Sequence, residues 1–350
     1  MQFGLNRLDM TSVQAFAESA REAEALGWGY GLIPSSPLLA LDPYVMLADG
    51  LRATTTLTMG SLIENPVMRS PAVIAGSTAT LAGLAPGRVM LGMGAGDTAV
   101  RLMGRRPARI AEQEHALGVI RSLLAGEALD VGAKRPARLR HAAPADVWVA
   151  AGGPKTLEMA GRAADGVFLR VGTHPGNIER SLAAVRRGAA AAGRDPAAVK
   201  LVLIFHTVVC DEPDRALAVA RSMAAGYLEY SPMLLEPTGW EWAGPPLHDL
   251  QSQVWPDFHH ARDLAAAGAL LSFMPAEVAQ AFCVVGDWAT VRERYAELTA
   301  QWPDAEVIVP HPVPAWPPGE EPQGPRYIEA FAREVIGPLD RKSTRLNSSH

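Results

Sequence analysis

Residues 60–97, GSLIENPVMRSPAVIAGSTATLAGLAPGRVMLGMGAGD, constrain this chain more than any other stretch. They read as the end of a buried strand, an Asn-Pro loop, an apolar helix, a tight Pro-Gly turn, and a second strand that breaks into glycines and a carboxylate. Such a β-loop-α-β unit belongs to an α/β protein. The chemistry of that class gathers outside the carboxyl ends of the strands.

The same alternation runs through most of the chain. Strand patterns fall at residues 3–6, 30–34, 55–63, 88–93, 147–151, 166–171, 201–209 and 306–309, and helical periodicity returns between them. In the first helix, near 11–26, Val13, Phe16, Ala17, Ala20, Ala23 and Leu26 recur at helical spacing. Residues 55–63 are β-branched and apolar, as a strand buried on both faces requires. Eight consecutive strands with right-handed crossovers predict a (β/α)8 TIM barrel, with an open doubly wound sheet plus a lid domain as the rival. The expectation is one domain over residues 1–340, with an insertion around 229–275. Residues 134–145 form a basic excursion. The end, RKSTRLNSSH at 341–350, has no periodicity or apolar anchor and reads as a disordered or non-native tail.

With 48% apolar and 20% charged residues the chain can build a large core, and a net charge of −5 gives no footprint for nucleic acid. Cys210 and Cys283 stand far apart in apolar contexts, so they are expected as buried hydrophobes rather than a disulfide. No CxxC or Cys/His cluster suggests a metal. The N-terminus has no basic, apolar leader and no stretch is long enough to span a bilayer, which predicts a soluble, cytoplasmic protein.

Three strand exits carry chemical potential. GMGAGD, residues 92–97, is not the spacing of a dinucleotide fingerprint and falls at the fourth strand, not the first. It is either a glycine-rich bend or a place where a flat ligand approaches the backbone at Gly94 and Gly96, with Asp97 facing a barrel mouth. AAGGPK, residues 150–155, places amide groups, a first-turn proline and Lys155 at the start of a helix, which suits a phosphate or carboxylate. An ordinary strand-to-helix turn is the plainer reading. Asn65-Pro66 and Arg69 follow the third strand, as a simple loop or as a mouth-facing Asn65 with Arg69 orienting the loop. His174 is a candidate at the rim, whereas His206 and His311 are as readily core residues. Residues 240–260 either cover a substrate or pack on their own domain. No nucleophile elbow, HExxH or Ser/His/Asp order supports hydrolysis.

Taken together, FGLN, NPVMRSP, TLAGLAPGRVMLGMGAGD, VWVAAGGPKTLEMAGRAADGVF and FCVVGDWATVRERYAEL resemble the luciferase-like monooxygenase superfamily, and most closely its deazaflavin branch of methylenetetrahydromethanopterin reductases. The resemblance covers roughly residues 1–335. It implies a bacterial luciferase-like TIM barrel that binds coenzyme F420, or FMN in sister branches, commonly as a homodimer. It also implies a cis non-proline peptide in the third strand, at Leu62–Ile63, as a platform for the ring. Ser61, Leu62, Ile63, Asn65, Gly94 and Gly96 would then surround the ring. Ala151, Gly152, Gly153, Pro154 and Lys155 would hold the anionic tail. Asp97, Asn6 and His174 are the candidate catalytic residues. Asn6 stands where the methanopterin reductases have a glutamate, which argues against that specific reaction. The expected function is hydride transfer between F420 and a small organic substrate. The alternatives are an FMN-dependent monooxygenase activating oxygen and a non-catalytic cofactor-binding barrel, with a hydrolytic barrel further behind.

Overall fold

Helix starts in this protein are written into its sequence. Asp42 accepts hydrogen bonds from the backbone N–H of Tyr44 (2.9 Å) and Val45 (3.3 Å) ahead of a first-turn proline. Ser12 does the same for Ala15 at 3.0 Å. The computed structural model describes residues 1–340, and the expected tail at 341–350 lies outside the described residues.

The elements follow one another as β1 (Gln2–Leu5), α1 (Val13–Ala25), β2 (Tyr30–Ile33), α2 (Pro43–Ala53), β3 (Thr58–Ser61), α3 (Pro71–Leu84), β4 (Val89–Met93) and the short α4 (Thr98–Arg101). Next come α5 (Ile110–Leu124), β5 (Asp146–Ala151), α6 (Pro154–Ala163), β6 (Gly166–Leu169), α7 (Pro175–Ala191), β7 (Lys200–Val209) and α8 (Pro213–Tyr230). The remainder is α9 (Leu247–Gln251), α10 (Leu264–Ala269), α11 (Ala276–Gln280), β8 (Cys283–Gly286), α12 (Trp288–Gln301), β9 (Ala305–Pro312) and α13 (Tyr327–Phe331).

The chain divides into two compact units. The first comprises residues 2–168 with 182–202, and the second Met1, residues 169–181 and the chain from Leu203 onward. In the first unit the strands lie in the order β6-β5-β4-β3-β2-β1. The pairings from β1 to β5 are parallel, with Ile33 opposite Ser61, Met59 opposite Val89 and Met93 opposite Val149. The core packs Trp148 against Phe168 (centroids 5.5 Å apart) and Tyr30 (5.8 Å). In the second unit the strand order is β9-β7-β8, with β7 parallel to β8 and His206 opposite Cys283. Its core centres on Tyr295, whose hydroxyl lies 2.6 Å from Thr207 Oγ1 and whose ring meets Phe331 at 5.0 Å.

Strand β8 is a finding that the periodicity does not announce. Its four residues, CVVG, sit between two helical patterns and are too few to register alternation. Within residues 229–275 the regular elements are the end of α8, a 3₁₀ stretch, α9 and α10, with irregular backbone between them. Both cysteines are buried and free. No described helix is long and apolar enough to cross a membrane.

One carboxylate fixes the start of β3. Glu24, on α1, accepts hydrogen bonds from the backbone N–H of Thr55 (2.9 Å), Thr56 (2.5 Å) and Leu57 (2.9 Å). Partial burial raises its pKa, but the N–H groups of Thr56, Leu57 and Thr55 outweigh that and hold the carboxyl at about 2. A depressed acid stabilises the fold above its unfolded pKa of about 4.3, and that contribution is lost as pH falls through the folded value. Glu24→Gln is therefore expected to cost about 2 kcal/mol at pH 7 in urea unfolding. The difference from the parent should shrink towards zero below pH 4.

Candidate functional site

Three strand exits lie side by side in the first unit. Glu64 bridges in parallel to Met93, and Met93 pairs with Val149. Glu64 N donates to Gly92 O (2.8 Å), and Gly94 N donates to Glu64 O (2.9 Å). The ends of β3, β4 and β5 thereby present residues 62–65, 94–97 and 151–155 as neighbours.

The first exit contains the Leu62–Ile63 peptide, which is cis. Both side chains are half-buried, so an apolar edge remains accessible. Leu62 N donates to Ile33 O at 2.6 Å. The Ser61 hydroxyl donates to Gly92 O (2.9 Å) and accepts from Gly92 N (3.2 Å). Asn65 is buried, and its Oδ1 accepts from Val67 N (3.2 Å) and Met68 N (2.9 Å), closing the Asn-Pro loop.

The glycines of the second exit serve the first. A Cβ on Gly94 would stand 2.0 Å from Ile63 Cδ1, and one on Gly92 would stand 2.1 Å from Ser61 O. Gly96 has φ +80° and would crowd Val100 and Asn65. Asp97 is on the surface: its side chain is 63% exposed and paired with Arg101, four residues on. Asn6 follows β1 directly and is half-buried.

The third exit is open. A Cβ on Gly152 or Gly153 would meet nothing within 4 Å. Gly153 is the N-cap of α6 and brings no side-chain cap, with Pro154 in the first turn. The first N–H groups of α6 are thus without a side-chain acceptor of their own, at the positive end of the helix dipole. Lys155 is exposed and makes no ion pair among the described residues, whereas Ala151 is buried.

Beneath the first exit is a network that motif reading passes over. Glu64 is fully buried, and its Oε1 accepts from Asn65 N at 2.9 Å. Arg69 places Nε 3.2 Å from Glu64 Oε2, binds Asp42 through Nη2, and lies 5.1 Å above the Tyr44 ring. Arg69 thus orients the loop. Burial raises the Glu64 pKa, against the pull of the Asn65 N–H, the Ser35 hydroxyl and Arg69. The signal for this network was one glutamate in an otherwise apolar strand exit. A raised acid favours the fold at low pH, and that contribution is lost as pH rises through the folded pKa. Removing Arg69 raises that pKa further. Arg69→Leu should therefore cost more at pH 8 than at pH 5, by about 1–2 kcal/mol in denaturant unfolding.

His174 belongs to the second unit. Its Nδ1 accepts from Gly176 N at 3.1 Å at the start of α7, and burial lowers its pKa against the pull of Glu179. A separate cavity of about 300 Å³ lies at the amino ends of β2–β5, bounded by Tyr30, Thr58, Asp146 and Lys200. That is the opposite end of the strands from the cluster.

Residues 2–304 match the family model described as luciferase-like monooxygenase. The chain belongs to the luciferase-like monooxygenase family. The luciferase-like sequence is 26% identical over 351 residues to 5,10-methylenetetrahydromethanopterin reductase of Methanolobus tindarius, covering 96% of this chain and all of that protein. Over 195 residues it is 33% identical to F420-dependent glucose-6-phosphate dehydrogenase of Mycolicibacterium smegmatis, covering 51% of this chain and 57% of the relative. Among solved structures, the coenzyme F420-dependent tetrahydromethanopterin reductase of Methanopyrus kandleri superposes with a TM-score of 0.73 at 22% identity, covering 96% and 98% of the two chains. The fold is that of the luciferase-like (β/α)8 barrel, as the alternation predicts, and the chain is an enzyme of this family.

Proposed function

We propose that this enzyme is a coenzyme F420-dependent oxidoreductase acting on a small organic molecule. The observation that carries the reading is the set of features presented by three consecutive strand ends. The half-exposed Leu62–Ile63 edge after β3 and the bare, glycine-lined start of α6 after β5 flank the glycine-rich exit of β4. A planar ring with an anionic tail fits both: an apolar edge for the ring, and free N–H groups with Lys155 for the charge. The relatives whose names carry F420 support the choice of deazaflavin.

When bound, the deazaflavin supplies or accepts the hydride. The protein binds and orients. Ile63, seated in the space left by Gly94, keeps the platform at a fixed height, and the Ser61 hydroxyl ties β3 to β4 beneath it. Gly152, Gly153 and Pro154 leave the N–H groups of α6 accessible, and Lys155 adds a positive charge. Asn6 can donate or accept a hydrogen bond but cannot carry a proton as a carboxylate does, which favours a substrate other than a methanopterin. Asp97 is paired with Arg101 through Oδ1, and His174 can take a proton only through Nε2, its Nδ1 accepting from Gly176 N. The family resemblance supports a homodimer.

Lys155→Glu is expected to weaken F420 binding by about tenfold or more, without changing the unfolding midpoint by more than a few tenths of a kcal/mol. Equilibrium dialysis measures the first and urea unfolding the second. An unchanged affinity would remove Lys155 from the cofactor's tail.

A further inference from the structure

The second unit holds a group of side chains that this reaction does not use. His206, on β7, is its centre. The rings of His259, His311 and Tyr227 lie 5.1, 5.1 and 5.3 Å from it, centroid to centroid. His206 is only 4% exposed, and its Nδ1 has no hydrogen-bond partner among the described residues. Buried polar atoms in folded proteins are almost always bonded, so this nitrogen lacks the partner such an atom normally has. His259 is pressed against α8, with Nε2 2.9 Å from the Met223 carbonyl oxygen. A Cβ on Gly226 would stand 2.2 Å from His259 Cδ2, so the glycine makes room for the ring.

The charges around the cluster are unbalanced. Arg170 directly follows β6, is exposed, and makes no ion pair or hydrogen bond among the described residues. Its charge acts on His206, His259 and Tyr227. The neighbouring carboxylates do not answer it. Asp257 accepts from the backbone N–H of His259 (2.8 Å) and His260 (2.9 Å) and lies 2.8 Å from His260 Nδ1. Glu229 is engaged by Gln251 and by the backbone of Phe258, and burial raises its pKa. The buried Cys283 thiol is pushed up to about 12 and carries no charge. No group of three or more His, Cys, Asp and Glu among the described residues has the geometry for a metal ion.

We propose that Arg170 with the imidazoles of His206, His259 and His311 forms a recognition site for an anionic group, a carboxylate or a phosphate, carried by the enzyme's small-molecule substrate. Naming the ligand as the substrate rests on the oxidoreductase reading; the anion site itself does not. Arg170 and His311 both stand at carboxyl ends of strands, where barrel enzymes hold their substrates. An anion gives the Arg170 fork its counter-charge. Its negative charge also favours protonation of the imidazoles, which turns His206 Nδ1 into a donor. Binding therefore takes up protons and tightens as pH falls through the imidazole range.

The test uses the full chain without F420, titrated separately with inorganic phosphate and with succinate while imidazole ¹⁵N–¹H signals are followed. At least one anion should shift the His206, His259 and His311 signals saturably. Arg170→Gln should weaken that binding about tenfold, and the control Arg294→Gln should not change it. Saturation by phosphate alone assigns a phosphorylated substrate, by succinate alone a carboxylate, and by both the shared anionic chemistry. Absence of saturable shifts with either anion, or an equal affinity in Arg170→Gln, overturns the site. A response that survives Arg170→Gln but disappears in Lys155→Glu overturns it equally, because the anion is then at α6. F420 affinity, measured apart, fails or holds independently of these outcomes.

Discussion

Alanine at Gly92 and alanine at Gly94 are expected to act in opposite ways, although the two positions are two residues apart. A Cβ on Gly92 meets the backbone oxygen of Ser61 at 2.1 Å. That oxygen cannot move without opening the β3–β4 pairing, which the Ser61 hydroxyl reinforces through both backbone groups of Gly92. Gly92→Ala should therefore destabilise the protein by about 3 kcal/mol or more in denaturant unfolding. On Gly94 the nearest atom is Ile63 Cδ1 at 2.0 Å, the far end of a side chain that can rotate. Gly94→Ala should cost about 1 kcal/mol. Its main effect is on the platform: Ile63 is pushed from its seat, and F420 affinity should fall about tenfold or more. A Gly94→Ala protein that binds F420 as the parent does would show that Ile63 is no part of the floor.

Acid should weaken the second unit through its buried imidazoles. Burial, followed by the charge of Arg170, lowers the His259 pKa to about 4. Burial lowers that of His206 as well, with His311, Arg170, His259 and His260 adding to it. A base with a depressed folded pKa stabilises the native state fully above its unfolded pKa, near 6.5. That contribution is lost as pH falls through the folded value. Between pH 6.5 and 4, His259 alone should account for about 3 kcal/mol. Urea unfolding of the parent and of His259→Gln across this range reads the effect, since groups away from this cluster titrate alike in both. The parent should lose stability more steeply than the variant. Parallel curves would mean that His259 is not buried in its neutral form.

The barrel was legible because both of its periods are strong. β-branched and apolar runs at strand spacing alternate with helices whose starts carry Ser12, Asp42 and first-turn prolines. Strand β8 was not legible, since Cys283–Gly286 is too short to show a period between two helices. The three exits could be found because glycine and proline punctuate them. What the glycines do could not be found that way. Gly94 gives space to Ile63, and Ser61 spends its hydroxyl on Gly92; both depend on the register of β3 against β4. Glu64 was invisible for a related reason: its role depends on Arg69 and Asp42, which lie on different segments of the chain. The histidines at 206, 259 and 311 are separated by tens of residues and come together only in space.

The central claim is that the strand ends of the first unit bind a deazaflavin. Side-by-side absorbance titrations of the purified enzyme with F420 and with FMN test it most directly. The expected result is saturable F420 binding at about micromolar dissociation constant or tighter, with FMN weaker by at least about tenfold. Tight FMN binding with no F420 binding would contradict the account and make the enzyme a flavin monooxygenase.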